Sequence, residues 1–259
     1  MKSMTRALAV FAVLALVVAA CGNGDDAVDP DDLELVTPGT LTVCTDTPYA
    51  PMEFIDEQGN YTGFDMELMR EVAEDLSLDF AVVEPGWEAI TGGLAFEAGE
   101  CDVAAASITI TPERAEVIDF SDPYFRVGQS LLVTEASGIT NLAEADGREI
   151  AVQTGTTGHF FVRDEGPDGV IIVEFEDADG PWLALEAGSV DGFMTDQVVT
   201  QEFVDANPGF AVVETFDTDE EYGWATQSTP SLLAALNDTL AKFQDDGTYD
   251  RIYSDWFDA

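Results

Sequence analysis

Between residues 39 and 226, short β-rich runs alternate with stretches of helical periodicity, and no other feature of the sequence restricts the fold as strongly. The runs fall at 41–45, 80–83, 103–106, 130–134, 150–153, 171–175, 192–195 and 211–213, each short enough for a strand. After Gly63, the residues Phe64, Leu68, Val72 and Leu76 recur at four-residue spacing, which predicts a helix with Asp65 as its N-cap. Ile90, Leu94 and Ala98 repeat that spacing across Gly92-Gly93, which weakens the helix there. The stretch 231–256 reads as helical and breaks at Asp246-Gly247. Strand–helix alternation buries strands between layers of helix, so the expected class is α/β with parallel sheets.

In open α/β sheets, ligands sit beyond the carboxyl ends of the strands. The residues that fall there are Asp46, Thr47 and Tyr49 after the first run, Trp87 after the second, and Ser107, Thr109 and Arg114 after the third. Gly155-Thr156-Thr157-Gly158 follows 150–153, and Asp196 follows 192–195. Thr111-Pro112-Glu113-Arg114 reads as N-cap, N1, N2 and N3 of a helix. A cation in a first helical turn opposes the helix dipole, at a cost of a few tenths of a kcal/mol or more. Arg114 is therefore read either as a grip on a ligand carboxylate or as a salt bridge to Glu113, Glu116 or Asp119. Thr156 and Thr157 open a helix whose free N–H groups suit an anion, or they serve as a plain cap. Asp196 is an ammonium acceptor or an N-cap, and Tyr49 and Trp87 wall a ligand side chain or belong to the core. Taken together, a carboxylate grip and an ammonium acceptor are the minimum needed to read an amino-acid zwitterion.

Charge excludes whole classes of function. The chain has 52 acidic and 9 basic residues, a formal net charge of −43. The acids are spread along the chain after residue 24, so electrostatics oppose binding to nucleic acid or to an anionic membrane. At about 1 M salt the Debye length is roughly 3 Å and such self-repulsion is screened, so the surface is read as adapted to high salt. His159 is the only histidine and no CxxC pair exists. A zinc site and a Ser-His-Asp triad are thereby set aside, and neither a metal, a cofactor nor a catalytic residue is expected.

The N-terminus reads as a processing segment. Lys2 and Arg6 precede an apolar run over 7–20, shorter than the roughly 20 residues of a comfortable membrane span and matching a signal h-region. Val18-Ala19-Ala20-Cys21 resembles a bacterial lipobox, which implies cleavage before Cys21 and a diacylglyceryl thioether on its sulfur; the alternative is an ordinary signal peptide with an incidental cysteine. The expected segments are a lipoprotein signal peptide over 1–20 and an acidic tether over 21–38. Cys44 and Cys101 are then an even pair in an oxidising compartment, bridged or left as two buried thiols.

Several stretches resemble the family 3 solute-binding proteins of ABC importers, which serve polar amino acids. They are Gly39-Thr40-Leu41-Thr42-Val43 with residues 46–54; Gly63-Phe64-Asp65-Met66-Glu67-Leu68; Cys101-Asp102-Val103; residues 107–114; Asp119-Phe120-Ser121-Asp122-Pro123-Tyr124; residues 152–157; and Asp245-Asp246-Gly247-Thr248-Tyr249. The resemblance implies a type II periplasmic-binding-protein fold: two α/β lobes with a ligand cleft, joined by crossovers near 126–129 and 217–222. Lobe one would comprise 39–126 and 222–259, and lobe two 127–221. Carried onto matching positions, Arg114 with Thr109 and Thr157 would hold the α-carboxylate, and Asp196 with Ser107 the α-ammonium. Asp46, Tyr49 and Trp87 would face the side chain, and Met52 would soften one wall of the pocket. Asp46 as an acceptor favours a polar, donor-bearing ligand such as glutamine, histidine or arginine. The resemblance also implies an exported monomer on the outer face of the cell membrane or in the periplasm, held to the membrane only by its lipid. Its partners would be an amino acid and an ABC permease. A stand-alone amino-acid sensor and an enzyme resembling cyclohexadienyl dehydratases are the alternatives.

Overall fold

The computed structural model describes residues 32–227 and 229–258, so the expected signal segment, Cys21 and most of the 22–32 stretch lie outside the described residues. The chain enters through β1 (Thr40–Cys44), buried from Leu41 onward, and a small hairpin of β2 (Phe54–Ile55) and β3 (Tyr61–Thr62) leads to α1 (Phe64–Asp75). Gly63, at φ 117°, allows that entry, because a Cβ there would lie 2.2 Å from the Met52 carbonyl oxygen. Phe64, Leu68 and Val72 are fully buried, as their spacing predicts. Asp65 is not the N-cap: Gly63 holds that position, and Asp65 lies inside the first turn. Its carboxylate reaches inward instead, accepting the Ser107 N–H at 2.9 Å and the Tyr124 hydroxyl at 2.7 Å. A carboxylate in the first turn still favours the helix dipole, so long-range partners cost the helix little.

The strand β4 (Asp79–Val83) returns beside β1. The helix expected over 90–98 is split at Gly92-Gly93 into α2 (Trp87–Thr91) and α3 (Leu94–Glu97), with Gly93 in the left-handed region. Next come β5 (Val103–Ala104) and β6 (Asp119–Phe120), and Cys101 is disulfide-bonded to Cys44 across a Cα–Cα distance of 5.6 Å. The strand β7 (Phe125–Thr134) then carries the chain to a second sheet, built with β8 (Glu149–Gln153), α4 (Thr157–Glu165), β9 (Ile171–Phe175), α5 (Asp179–Glu186), β10 (Gly192–Asp196) and α6 (Gln197–Ala206). The strand β11 (Phe210–Tyr222) returns it to β12 (Ala225–Thr226), α7 (Pro230–Asp246) and α8 (Thr248–Phe257), with Gly247 at φ 85° between the two helices.

The sheets run β4-β1-β5-β12-β6 and β11-β7-β10-β8-β9, the two-lobed α/β architecture of the type II fold. They are mixed rather than purely parallel. Three neighbours in each are parallel, β4-β1-β5 and β9-β8-β10. The crossing strands explain the rest. Because β7 leaves and β11 returns, they pair antiparallel, with Phe125 opposite Tyr222 and Thr134 opposite Phe210, and β12 then enters the first sheet antiparallel to β5. Both crossing strands also run well beyond the expected 130–134 and 211–213.

Helices α1, α7 and α8 close one face of the first sheet around Leu41, Val43, Phe64, Trp224, Leu236 and Phe243. In the second sheet Leu131 and Val133 join one cluster while Leu132 joins the other, and Ile150 and Val152 alternate with Ala151 in the same way. Strands buried on both faces give this period-two division of a continuous apolar run.

Candidate ligand-binding site

The carboxyl ends of β1, β4 and β5 face those of β8 and β10 across one cavity. Asp46, Tyr49, Trp87, Ser107, Thr109, Arg114, Thr156, Thr157 and Asp196 all line it. Glu53, Gln153 and Gly158 line it as well. Direct contacts span it: Gln153 Nε2 donates to Asp46 Oδ2 at 2.8 Å, Arg114 Nη2 donates to the Gly155 carbonyl at 3.2 Å, and the Tyr49 hydroxyl lies 3.1 Å from Thr195 Oγ1.

One end of the cavity is cationic. Thr111 Oγ1 accepts the Arg114 N–H at 3.2 Å, but the expected helix with Thr111 as N-cap and Arg114 at N3 does not form: the segment is a single 3₁₀ turn, Arg114–Glu116, whose N-cap position is Glu113. The turn delivers Arg114 to a site where it is 8 % exposed. Its Nη1 donates to the Thr109 carbonyl at 2.8 Å, and its guanidinium carbon stands 4.9 Å from the Trp87 ring centre, a cation–π contact. Burial lowers its pKa to about 10, which leaves it charged at neutral pH. Across from it, α4 presents its N-terminus. Thr156 is the cap: its hydroxyl accepts the His159 N–H at 3.1 Å and donates to the Gln153 carbonyl at 2.8 Å. The N–H groups of Thr157 and Gly158 lie ahead of any helical carbonyl that could receive them. A Cβ on Gly158 would come within 2.8 Å of Gln129 Oε1 and 3.2 Å of the Met194 carbonyl, so a larger residue would have to displace the Gln129 amide and ease α4 back slightly. The Trp87 indole N–H is buried with no hydrogen-bond partner among the described residues.

The other end is acidic. Asp196 sits at the N-cap of α6 yet makes no capping hydrogen bond. Its carboxylate faces the cleft floor, accepting Tyr222 Oη and Gln129 Nε2, each at 2.5 Å. Burial, then the nearby Glu220, raises its pKa to about 6 against the hydrogen bonds that lower it. Ser107, held at φ 51°, links two more acids: its N–H goes to Asp65, and its hydroxyl donates to Glu53 Oε2 at 2.9 Å. Burial pushes the pKa of both carboxyls up, and Asp65 raises that of Glu53 further. The Thr109 hydroxyl lies 3.2 Å from Glu220 Oε2. Asp46 is raised to about 6 by burial, partly offset by Gln153, and raised further by Glu84, Asp177 and Asp179.

Sequence reasoning missed Glu53, Gln129, Gln153 and Tyr222. The available signal was a polar residue inside an apolar run, as in Met52-Glu53-Phe54 and in Gln129 of β7. Met52 does not wall the pocket. It is fully buried in the first lobe's core with Phe64 and Leu68, because it faces α1 rather than the strand ends.

A family model, bacterial extracellular solute-binding proteins of family 3, matches residues 41–259. The "Probable histidine-binding protein" of Neisseria gonorrhoeae is 32 % identical over 258 residues, covering 96 % of this chain and 94 % of that protein. The "ABC transporter glutamine-binding protein GlnH" of Bacillus subtilis (strain 168) is 31 % identical over 263 residues, with the same coverage of 96 % and 94 %. Among solved structures, the ancestral amino acid-binding protein AncCDT-1, a precursor of cyclohexadienyl dehydratase, is 34 % identical. It superposes with a TM-score of 0.78, covering 85 % of this chain and 96 % of that one.

Proposed function

This chain belongs to the bacterial extracellular solute-binding proteins of family 3, and from that premise we propose that it captures a free amino acid outside the cell and delivers it to an ABC importer. The observation that carries the reading is the opposite polarity of the two ends of one cavity, Arg114 with the α4 N-terminus against Asp196 with Glu53. A zwitterion satisfies both ends at once. Arg114, Thr109 and the Thr157 N–H take the α-carboxylate, in the geometry that a planar guanidinium and a helix N-terminus provide. Asp196, Ser107 and Glu53 take the α-ammonium, and Asp46, Tyr49 and Trp87 meet a polar, donor-bearing side chain. Residues 39–126 with 222–259, and 127–221, act as the two closing bodies, flexing at β7 and β11.

Calorimetric titration with the twenty amino acids is the test. At least one should bind, and the radius of gyration should fall with it as the lobes shut. Absence of binding by all twenty would overturn the reading. Catalysis on the same fold is the second reading, favoured by the likeness to AncCDT-1; recovery of prephenate or arogenate unchanged after incubation argues for the receptor. The finer proposals are a lipid anchor at Cys21, seen as a diacylglyceryl mass on the mature N-terminus, and a salt-adapted surface, seen as a melting temperature that rises with salt.

A further inference from the structure

The crossing strand β11 carries an irregularity that aims one side chain at the cleft. Phe216 pairs with Gln129 and Glu220 with Val127, so residues 217–219 stand opposite Gly128 alone. Asp219 takes φ 55° in this bulge, and Arg126 pairs with it from β7. A Cβ on Gly128 would lie 2.3 Å from the Phe216 carbonyl oxygen, so the close approach of the two strands requires a glycine there. Bulges re-aim side chains beside functional sites. The side chain delivered here is Glu220, half-buried between the two ends of the cleft. Its Oε2 accepts the Thr109 hydroxyl at 3.2 Å and lies 3.3 Å from Gln129 Nε2, the amide that also donates to Asp196. Its charge acts on Arg114 as well as on Asp196. Thr109 lines the cavity, and Glu220 stands behind it.

A threonine hydroxyl has one proton to give, and an ionised carboxylate can only accept. Thr109 gives its proton to Glu220. An α-carboxylate held by Arg114 and Thr109 needs the same proton, so two carboxylates compete for one donor. The loser keeps a half-buried charge without that hydrogen bond, which is costly away from water. Gln129 cannot make up the loss. Its amide nitrogen already faces three acceptors, Thr157 Oγ1 at 3.2 Å, Asp196 Oδ1 at 2.5 Å and Glu220, with two N–H groups to share. Binding therefore exchanges one charge-assisted hydrogen bond for another at Thr109 instead of adding one.

We propose that Glu220 is an internal competitor for the ligand, a carboxylate delivered by the β11 bulge that holds the Thr109 hydroxyl until the ligand's α-carboxylate displaces it. The inference rests on the amino-acid-receptor reading. Glu220 acts through Thr109 and lowers affinity, and it retakes the hydroxyl as the ligand leaves. In the test, the twenty amino acids are titrated by calorimetry into the native protein, and the tightest binder is carried to the variants near neutral pH and at one salt concentration. Glu220→Ala removes the acceptor and should bind that amino acid about tenfold tighter, the gain of one hydrogen bond to a charged group. Glu220→Gln keeps a neutral acceptor and should fall between Glu220→Ala and the native protein. Thr109→Val should weaken binding by less than about threefold, because the native protein gains no net hydrogen bond there. In the Thr109→Val background, Glu220→Ala should change Kd by less than about threefold, since its effect runs through the hydroxyl. Circular dichroism checks the fold of each variant, and Thr109→Val decides alone if the Glu220 variants do not fold. A gain below about threefold in Glu220→Ala, a larger loss than that in Thr109→Val, or a gain that survives without the hydroxyl overturns the inference and leaves the receptor reading standing. No binding of any amino acid to the native protein overturns both.

Discussion

At the Arg114 end of the cleft, a single buried charge is already surrounded by carbonyl dipoles, an indole face and a helix N-terminus. At the Asp46–Glu53–Asp196 end, several carboxylates share neutral donors, and all three are pushed toward protonation by burial. The first end is preassembled and keeps its charge without a ligand. The second is short of positive charge, so its protonation state depends on what occupies it. On the proposed reading, selectivity for an α-carboxylate would rest on geometry, and selectivity at the acidic end on charge.

The largest effect should come from removing the cation. With Arg114→Ala a bound carboxylate loses its only charged partner, and breaking a buried pair in this way costs about 3–5 kcal/mol. That is roughly a hundred- to several-thousand-fold in Kd. Arg114→Lys should fail nearly as badly, since an ammonium cannot reproduce the planar fork that reaches the Thr109 and Gly155 carbonyls while lying over Trp87. Titration of the bound amino acid into both variants checks this. An unchanged Kd in Arg114→Ala would mean that the cationic end holds the lobes together and not the ligand.

An effect of intermediate size separates the ends by pH. Asp46 and Asp196 titrate near 3.8 as free side chains and near 6 in the folded protein. Between about pH 4 and 6 the folded state therefore binds more protons than the unfolded one, so the empty protein gains stability as pH falls through that window and loses it as pH rises. Each two-unit shift corresponds to about 3 kcal/mol at most. Affinity for a positive ligand group runs the other way. At pH 5 each carboxylate is about one-tenth ionised, which weakens binding about tenfold per group relative to pH 7.5. The charges that face these groups are Glu84, Asp177, Asp179 and Glu53 around Asp46, and Glu220, Glu53 and Arg114 around Asp196, where the neutral side chains of Tyr222, Tyr49 and Gln129 also donate hydrogen bonds. Asp46→Asn should remove its own share of both slopes. Stability and affinity rising together over this window would refute the assignment of the acidic end.

The sequence made the cationic end more legible than the acidic one, for a physical reason. Arg114 and Thr157 owe their places to local chemistry, a capped turn and a helix start, which a few adjacent residues reveal. Glu53, Gln129 and Tyr222 owe theirs to pairing across the fold, from the turn after β1 to the two crossing strands, and no local window contains that information. The fold shows the same division. Alternating runs located all five strands of the second sheet but only β1, β4 and β5 of the first; β6 and β12, two residues each, and the length of β7 and β11 with the antiparallel pairing they impose follow from long-range register. Asp65 and Asp196 show how local chemistry can mislead: each sits at or beside a helix N-cap, and each turns its carboxylate to partners elsewhere in the chain.

The smallest effect tests whether two adjacent threonines divide the labour as the geometry indicates. Thr156 spends its hydroxyl on the cap, with the His159 N–H on one side and the Gln153 carbonyl on the other. Thr156→Ala should therefore cost about 1 kcal/mol of stability, the usual loss for an N-cap hydroxyl. It should leave ligand affinity nearly unchanged, because the N–H groups of Thr157 and Gly158 stay in place as long as α4 holds its first turn. Thr157 lines the cavity, and among the described residues its Oγ1 meets only Gln129 Nε2, at 3.2 Å. Thr157→Ala keeps the cap and removes a ligand-facing hydroxyl, so its loss should appear in affinity, by about tenfold or somewhat more at the roughly 1.5 kcal/mol of one hydrogen bond to a charged group. Urea unfolding and calorimetry on both variants give four numbers. If Thr156→Ala weakens binding more than Thr157→Ala does, the cap hydroxyl itself contacts the carboxylate, and the cationic end is assembled by the ligand rather than ready for it.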